Sequence, residues 1–239
     1  MKVITYNILS DKWCIYREDV PSSHKLKNRY EFVSVDLLIW ENRLPKIINK
    51  IKDYDIICLQ EVDLIYTSHI INLLPDYHYY HHVIYTKENK DKNKRTNPIG
   101  NMTLWKKHIE CIDQKCNSCA LFTTFKEFTL INVHLKGGRD YESQRISQLK
   151  SCLKNIDLPV CICGDFNDEF KGELPKLLNG FTLYPNLLTC DCYNKVHHYH
   201  SFDHVVSKDL TIRQWCDEIL PIPNEDNPSD HLPLMFEIL

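Results

Sequence analysis

No stretch of the chain approaches the roughly 18 consecutive apolar residues of a membrane-spanning helix, so no transmembrane helix is expected. The opening MKVITYNILSDKW lacks a signal peptide's long apolar segment; its short run is broken by Asn7, Ser10 and Asp11, and secretion is not expected. Positive charge is not in excess. With 29 Lys and Arg against 32 Asp and Glu, the net charge of −3 argues against gripping long duplexes by bulk electrostatics. Any nucleic-acid contact should be local. No Pro/Gly/Ser-rich stretch or charge block divides the 239 residues, and no repeat of fixed period is evident, so residues 1–239 read as a single domain. Cys116 and Cys119 form a CxxC with no second CxxC at zinc-ribbon spacing, which favours a turn with free thiols over a zinc site. The eleven cysteines are an odd count scattered through apolar, strand-like segments, as reduced thiols of a cytosolic or nuclear protein would be. Heavy use of Ile, Lys, Asn and Tyr points to an AT-rich coding genome, such as that of a large DNA virus or a protist.

The residues that are present alternate between two periods. Val3, Tyr6 and Ile8 among polar neighbours predict an opening strand over residues 2–9. Trp40, Leu44, Ile47, Ile48 and Ile51 recur at helical spacing with Arg43, Lys46 and Lys50 on other faces, predicting an amphipathic helix. The apolar run of DIICLQEVD then predicts a buried strand ending in carboxylates. The same grammar recurs: FTLINVHLKG as a strand, ESQRISQLKSCLKNI as a helix, LPVCICGDFND as a buried strand. KENKDKNKRTN reads as a charged, solvated loop between them.

Polar groups collect at these strand ends. Hydrolysing a phosphodiester near neutral pH needs a cation to neutralise phosphate, a base to activate water, and donors to hold developing charge. Mg²⁺, with Mn²⁺ as a substitute, prefers hard oxygen ligands, and Glu61 in LQEVD is the best single ligand candidate. Asp165 and Asn167 in GDFND lie two apart, so on an extended chain both project from one face, a base beside a donor; the alternative is a turn that only bonds backbone. His134 ends LINVHL. Asp230 and His231 put an acid and an imidazole on the loop entering the last strand, and Asp203 in HSFDHVV can fix the tautomer of that histidine.

TYNIL, LQEVD, NVHL, GDFND, SFDHV and SDHLPL occur in the order and approximate spacing of the endonuclease/exonuclease/phosphatase superfamily, which the chain resembles from Asn7 to Pro233. The resemblance implies a four-layer α-β-β-α sandwich of two mixed sheets flanked by helices, with the site at one rim. It implies Glu61 as metal ligand with Asn7 and Asp230 beside the metal. His134 would contact the scissile phosphate, Asp165 orient or deprotonate the attacking water, and Asn167 bind phosphate. Asp203 would hold His231, which would stabilise the transition state. Trp40 and Arg43 ahead of ICLQEVD, GNMTLW at residues 100–105, and Arg145 with Gln148 after NVHL are most similar to the branch of the carbon catabolite repression deadenylases, nocturnin and the Angel proteins. The chain starts almost on its first catalytic strand, which implies no amino-terminal recruitment module, and its length implies reduced substrate-framing loops.

The implied substrate is nucleic acid, single-stranded RNA ahead of DNA, cut 3′ to 5′. Phe202 with Asp203 is shared with tyrosyl-DNA phosphodiesterases, so a DNA-directed diesterase or endonuclease is the alternative, along with a small-nucleotide phosphodiesterase or phosphatase, or a silent binding module. No apolar or basic membrane-facing loop supports a lipid phosphatase. In HHYHSFDH, strand alternation puts His198 and His200 on one face and His197 on the other, as a polar strand near the rim. Tyr77, Tyr79 and Tyr80 with His78, His81 and His82 read by default as core packing.

Overall fold

Strands packed between two layers must be apolar on both faces, whereas helices covering them need only one apolar stripe. The computed structural model describes residues 1–14, 30, 32–85, 98–154, 156, 159–218 and 221–239; the charged segment 87–97 lies outside them. The chain runs through β1 (Lys2–Asn7), α1 (Asp11–Cys14), α2 (Trp40–Ile51), β2 (Ile56–Asp63), α3 (Thr67–Leu73), β3 (Tyr77–Tyr85) and β4 (Ile99–Lys106). It continues with β5 (Cys111–Cys116), β6 (Ala120–Phe125), β7 (Thr129–His134), α4 (Glu142–Cys152) and β8 (Val160–Asp165). Short strands β9 (Thr182–Leu183), β10 (Cys190–Asp191) and β11 (Tyr199–His200) precede β12 (Asp203–Lys208), β13 (Ile212–Cys216) and β14 (Leu234–Ile238).

Two six-stranded sheets result, ordered β13-β14-β1-β2-β4-β3 and β5-β6-β7-β8-β12-β9. Each is mixed, because one pair in each is parallel: β1 with β2, and β7 with β8. Parallel neighbours need a crossover, and α2 and α4 supply it. Val3, Ile56, Cys58, Leu130, Cys163 and Phe236 form the core between the sheets. Ile4, Ile57 and Leu59 bury Trp40, Ile47 and Ile51 of α2 against the first sheet, and Ile131, Val133 and Ile162 bury Leu149 and Cys152 of α4 against the second. Helix, sheet, sheet, helix is the layer order that the resemblance implied.

The inter-sheet core is not purely apolar. Gln60 Nε2 donates to Asn132 Oδ1 (2.8 Å), and Asn132 Nδ2 donates to the carbonyls of Leu59 (3.2 Å) and Met102 (3.1 Å). This buried pairing penalises any slip of one sheet over the other and so fixes the relative height of their strand ends.

Four expectations are corrected. The opening strand stops at Asn7 rather than residue 9, since Leu9 turns to φ +59°. The helix after NVHL ends at Cys152, and HHYHSFDH is not one strand: Tyr199 and His200 form β11, and Asp203 and His204 open β12. The Tyr77–His82 run is core only in part: it lies on β3, an edge strand of its sheet, where Tyr77 and Tyr80 pack against the core clusters but Tyr79 is 45% exposed. Cys116 and Cys119, by contrast, are both free thiols as the CxxC was read, and the Cys119 sulfur lies 3.6 Å from that of Cys152. No described helix is long and apolar enough to cross a membrane.

Candidate active site

The parallel pairs and the Gln60–Asn132 bridge bring the carboxyl ends of β1, β2, β7 and β8 to one rim. Asn7 pairs in register with Gln60, His134 with Asp165, and Asp165 with Asp203 across the antiparallel β8–β12 pair. Gly164 lets β8 approach: a Cβ there would stand 2.1 Å from the Val133 carbonyl oxygen. Between Leu59 and Val62 the register of β2 against β4 slips, and Glu61 sits in that bulge at φ +59°. A bulge re-aims a side chain at some cost in strain, and here it turns Glu61 into the cleft.

Asp165 is the hub. Its Oδ1 accepts from the Asn167 amide (2.8 Å) and its Oδ2 from Asn7 Nδ2 (3.0 Å). That second oxygen lies 3.6 Å from His134 Nε2 and 3.8 Å from His231 Nε2, near enough for charge attraction but too long for hydrogen bonds. Burial pushes the Asp165 pKa up and Asp203 adds to this, against His231, His134 and the Asn7 bond. Its carboxylate is therefore a stronger base than a solvated one.

His231 donates from Nδ1 to Asp203 Oδ2 (2.8 Å), so the two residues join as the sequence suggested. Burial works against charge on His231, yet Asp203, Asp165 and Asp230 outweigh it and hold its pKa well above the ordinary imidazole value. The surrounding carboxylates thus favour the charged, imidazolium form of the ring, whose Nε2 lies 3.8 Å from Asp165 Oδ2. Glu61 Oε2 accepts from the Ser10 amide (2.9 Å), and its Oε1 lies 3.9 Å from His134 Nε2. Burial raises the Glu61 pKa; His134 offsets this in part and Asp230 adds to it.

Asn167 departs from the extended-chain expectation. β8 ends at Asp165, and Asn167 turns into the left-handed region at φ +51°, which asparagine tolerates. Its amide closes the turn on Asp165 while its Nδ2 donates to the Leu135 carbonyl (3.0 Å), so backbone bonding of the kind weighed for this motif is present. Asn7 is likewise engaged on both sides, with Oδ1 accepting from the Leu9 amide (3.1 Å).

Several supporting residues left no functional signal in the sequence. Tyr30 Oη donates to Asp230 Oδ2 (2.7 Å) across 200 positions. Ser229 Oγ donates to the Asn7 carbonyl (2.6 Å) and accepts from the His231 amide (3.2 Å). Arg43, expected on a polar face of its helix with Lys46 and Lys50, is instead wholly buried: Nη2 pairs with Asp11 (2.8 Å), while Nη1 donates to the carbonyls of Ile8 (2.8 Å) and Pro228 (3.2 Å). It thereby ties the exit of β1 to the loop carrying Asp230 and His231. Arg43→Met would strand Asp11 without its counter-charge and should cost about 3–5 kcal/mol in chemical denaturation. Lining the same cleft, Arg145 Nη1 donates to the Gly138 carbonyl (2.7 Å) and Gln148 Oε1 accepts from the Lys136 amide (2.8 Å), clamping the loop after β7.

Glu61, His134, Asp165, Asn167, Asp230 and His231 line one cleft of about 1300 Å³; Asn7 and Asp203 sit behind Asp165 and His231. His197 and His200 are drawn apart, to Asp191 (2.7 Å) and Glu169 (2.9 Å), so the histidine run does not converge on one point.

The chain belongs to the Endonuclease/Exonuclease/phosphatase family, which it matches over residues 4–231. It carries that family's nuclease- and phosphodiesterase-like fold. No curated protein matches it by sequence. Among solved structures, the human Nocturnin catalytic domain with bound sulfate is 20% identical, covering 100% of this chain and 93% of its own length at TM-score 0.67. ANGEL2, a 2′,3′-cyclic phosphatase, in complex with adenosine-2′,3′-vanadate is 19% identical, with 99% and 94% covered at TM-score 0.70. D. rerio TDP2 complexed with a single-strand DNA product is 13% identical, with 99% and 98% covered at TM-score 0.68.

Proposed function

We propose that the chain is a divalent-metal-dependent phosphodiesterase acting on single-stranded RNA from its 3′ end. The observation that carries the hydrolytic reading is the convergence on one strand-tip cleft of a buried carboxylate base, Asp165, and a buried imidazolium, His231, beside Glu61. RNA is placed ahead of DNA on the motifs around Trp40, Arg43, Gly100 and Arg145, which resemble the branch of Nocturnin and ANGEL2; the fold itself is shared as closely with TDP2 in complex with single-strand DNA product.

The donor set fits a hard cation. Glu61, Asp165 and Asp230 crowd negative charge into a half-closed cleft, and burial together with mutual repulsion already raises the Glu61 pKa. Glu61 and Asp230 would hold Mg²⁺, or Mn²⁺ in its place, with Asn7 alongside. A cation held there would supply charge neutralisation and polarise a phosphoryl oxygen.

The chain's own residues do the rest. Asp165 Oδ2, fixed by Asn7, takes the proton of the attacking water. His134 and His231 hold Nε2 3.6 Å and 3.8 Å from that oxygen and donate to the phosphoryl oxygens as charge builds. Asp203 holds the imidazolium of His231 in one orientation. Asn167, whose side chain is bonded to Leu135, shapes the turn, and its amide keeps Asp165 directed inward.

The test incubates purified protein with polyadenylate, mixed-sequence RNA, RNA ending in a 2′,3′-cyclic phosphate, single-stranded DNA and 5′-tyrosyl DNA, each with Mg²⁺, Mn²⁺ or EDTA. Progressive 3′ shortening of RNA that EDTA abolishes is expected. Cleavage of another substrate alone keeps the chemistry and rejects the RNA assignment, whereas inactivity on all five rejects the reading.

A further inference from the structure

Cysteines at i and i+2 on an extended strand project from one face. Cys190 and Cys192 do so. β10 pairs antiparallel with β11, and the Cys192 amide continues that ladder to the His198 carbonyl (2.9 Å). Their sulfurs stand 3.5 Å apart, and both residues line the catalytic cleft. Asp191, on the other face, bonds His197 and the Ile222 amide.

We propose that Cys190 and Cys192 are an oxidative modification site, a dithiol that a peroxide converts to a disulfide. The other close thiols lack access: Cys119 and Cys152 are fully buried, as are Cys58, Cys161 and Cys163 in the inter-sheet core. Cys192 is half-buried and meets the cleft. The Cys192 thiolate attacks hydrogen peroxide, giving a sulfenic acid and, once a proton is taken up, one water; the Cys190 thiol then attacks the sulfenic sulfur, forming the S–S bond and releasing a second water. Two thiols lose two electrons and two protons, and the peroxide is reduced to two waters.

The bond requires the sulfurs to close from 3.5 Å to about 2.05 Å. β10 cannot absorb that movement privately, because it is laced to the catalytic loop. Cys190 bridges to His231, the Asp191 amide donates to the Asp230 carbonyl (2.9 Å), and the Leu232 amide donates to the Thr189 carbonyl (2.6 Å). Thr189 Oγ1 in turn accepts from the Asp203 amide (3.2 Å), so both members of the Asp203–His231 pair hang on this strand. Displacing it by a fraction of an ångström misaligns the imidazolium.

The experiment treats fully reduced protein with limiting hydrogen peroxide, maps disulfides by mass spectrometry after alkylation, and follows hydrolysis of its diester substrate. The first bond should join Cys190 and Cys192, with a loss of rate on the order of tenfold or more that dithiothreitol restores. Cys192→Ser, compared with itself before and after peroxide, should show no reversible loss. Earlier bonding of Cys119 to Cys152, or a 190–192 bond that leaves the rate unchanged, overturns the proposal. The rate part rests on the proposed activity, but the mapping does not: if the reduced protein cleaves no diester, that reading fails while the map alone decides the modification site.

Discussion

Asp165→Ala is expected to lower kcat by about 10³-fold while KM changes little, because the carboxylate is proposed to act on the attacking water rather than on the substrate's contacts. The same carboxylate is also a structural hub, accepting from the Asn167 amide and from Asn7 Nδ2. Asp165→Asn therefore serves as the companion. Its amide oxygen can still close the turn on Asn167, but its amide nitrogen would face Asn7 Nδ2 donor to donor unless Asn7 flips. Both variants should lose activity alike if basicity is what matters. Steady-state kinetics with a thermal melt on each protein checks this: a folded Asp165→Asn retaining more than about a tenth of wild-type kcat would remove Asp165 from the proton-transfer role.

Asp203→Asn should lower kcat by about 10²–10³-fold near pH 8 and much less near pH 5.5. The sign follows from the balance at His231. Burial alone lowers an imidazole pKa, and the neighbouring carboxylates, Asp203 foremost, reverse this. With Asp203 neutralised, the His231 pKa falls and the charge that activity requires is lost as pH rises. The wild-type rate should hold through neutral pH into the alkaline range, and the variant's should decline from the acid side upward. The pH profile of kcat on both proteins is the measurement; parallel profiles would mean that Asp203 only packs against His231.

The layers of this fold are written in local sequence. Continuous apolar runs over β2 and β8, and a helical stripe on α2, report burial on two faces or on one, and a polar residue after such a run marks a strand tip. That is why Glu61, His134 and Asp165 could be placed at strand tips before any contact was seen, whereas Asn7 and the joining of all four into one site came from the resemblance carried by the ordered motifs. What local pattern does not report is backbone detail and distant pairing. The bulge at Glu61 follows from register against β4, and the turn that redirects Asn167 begins one residue after β8 ends. Tyr30 and Asp230, and Arg43 and Pro228, are joined only by the finished fold, so neither carries a periodic or spacing signal. The edge position of β3 depends likewise on sheet order, which turned an aromatic run read as core into a half-open strand.

The central claim is that Glu61 recruits a divalent cation required for phosphodiester hydrolysis. It is tested most directly by isothermal titration of Mg²⁺ and Mn²⁺ into wild-type protein and Glu61→Gln, with hydrolysis of one diester substrate followed in the same samples. The account predicts saturable binding to wild type that tracks the onset of activity, and in Glu61→Gln a loss of about 10–100-fold or more in affinity together with activity. Undiminished binding and turnover in a folded Glu61→Gln, or full turnover by wild type in EDTA, would contradict it.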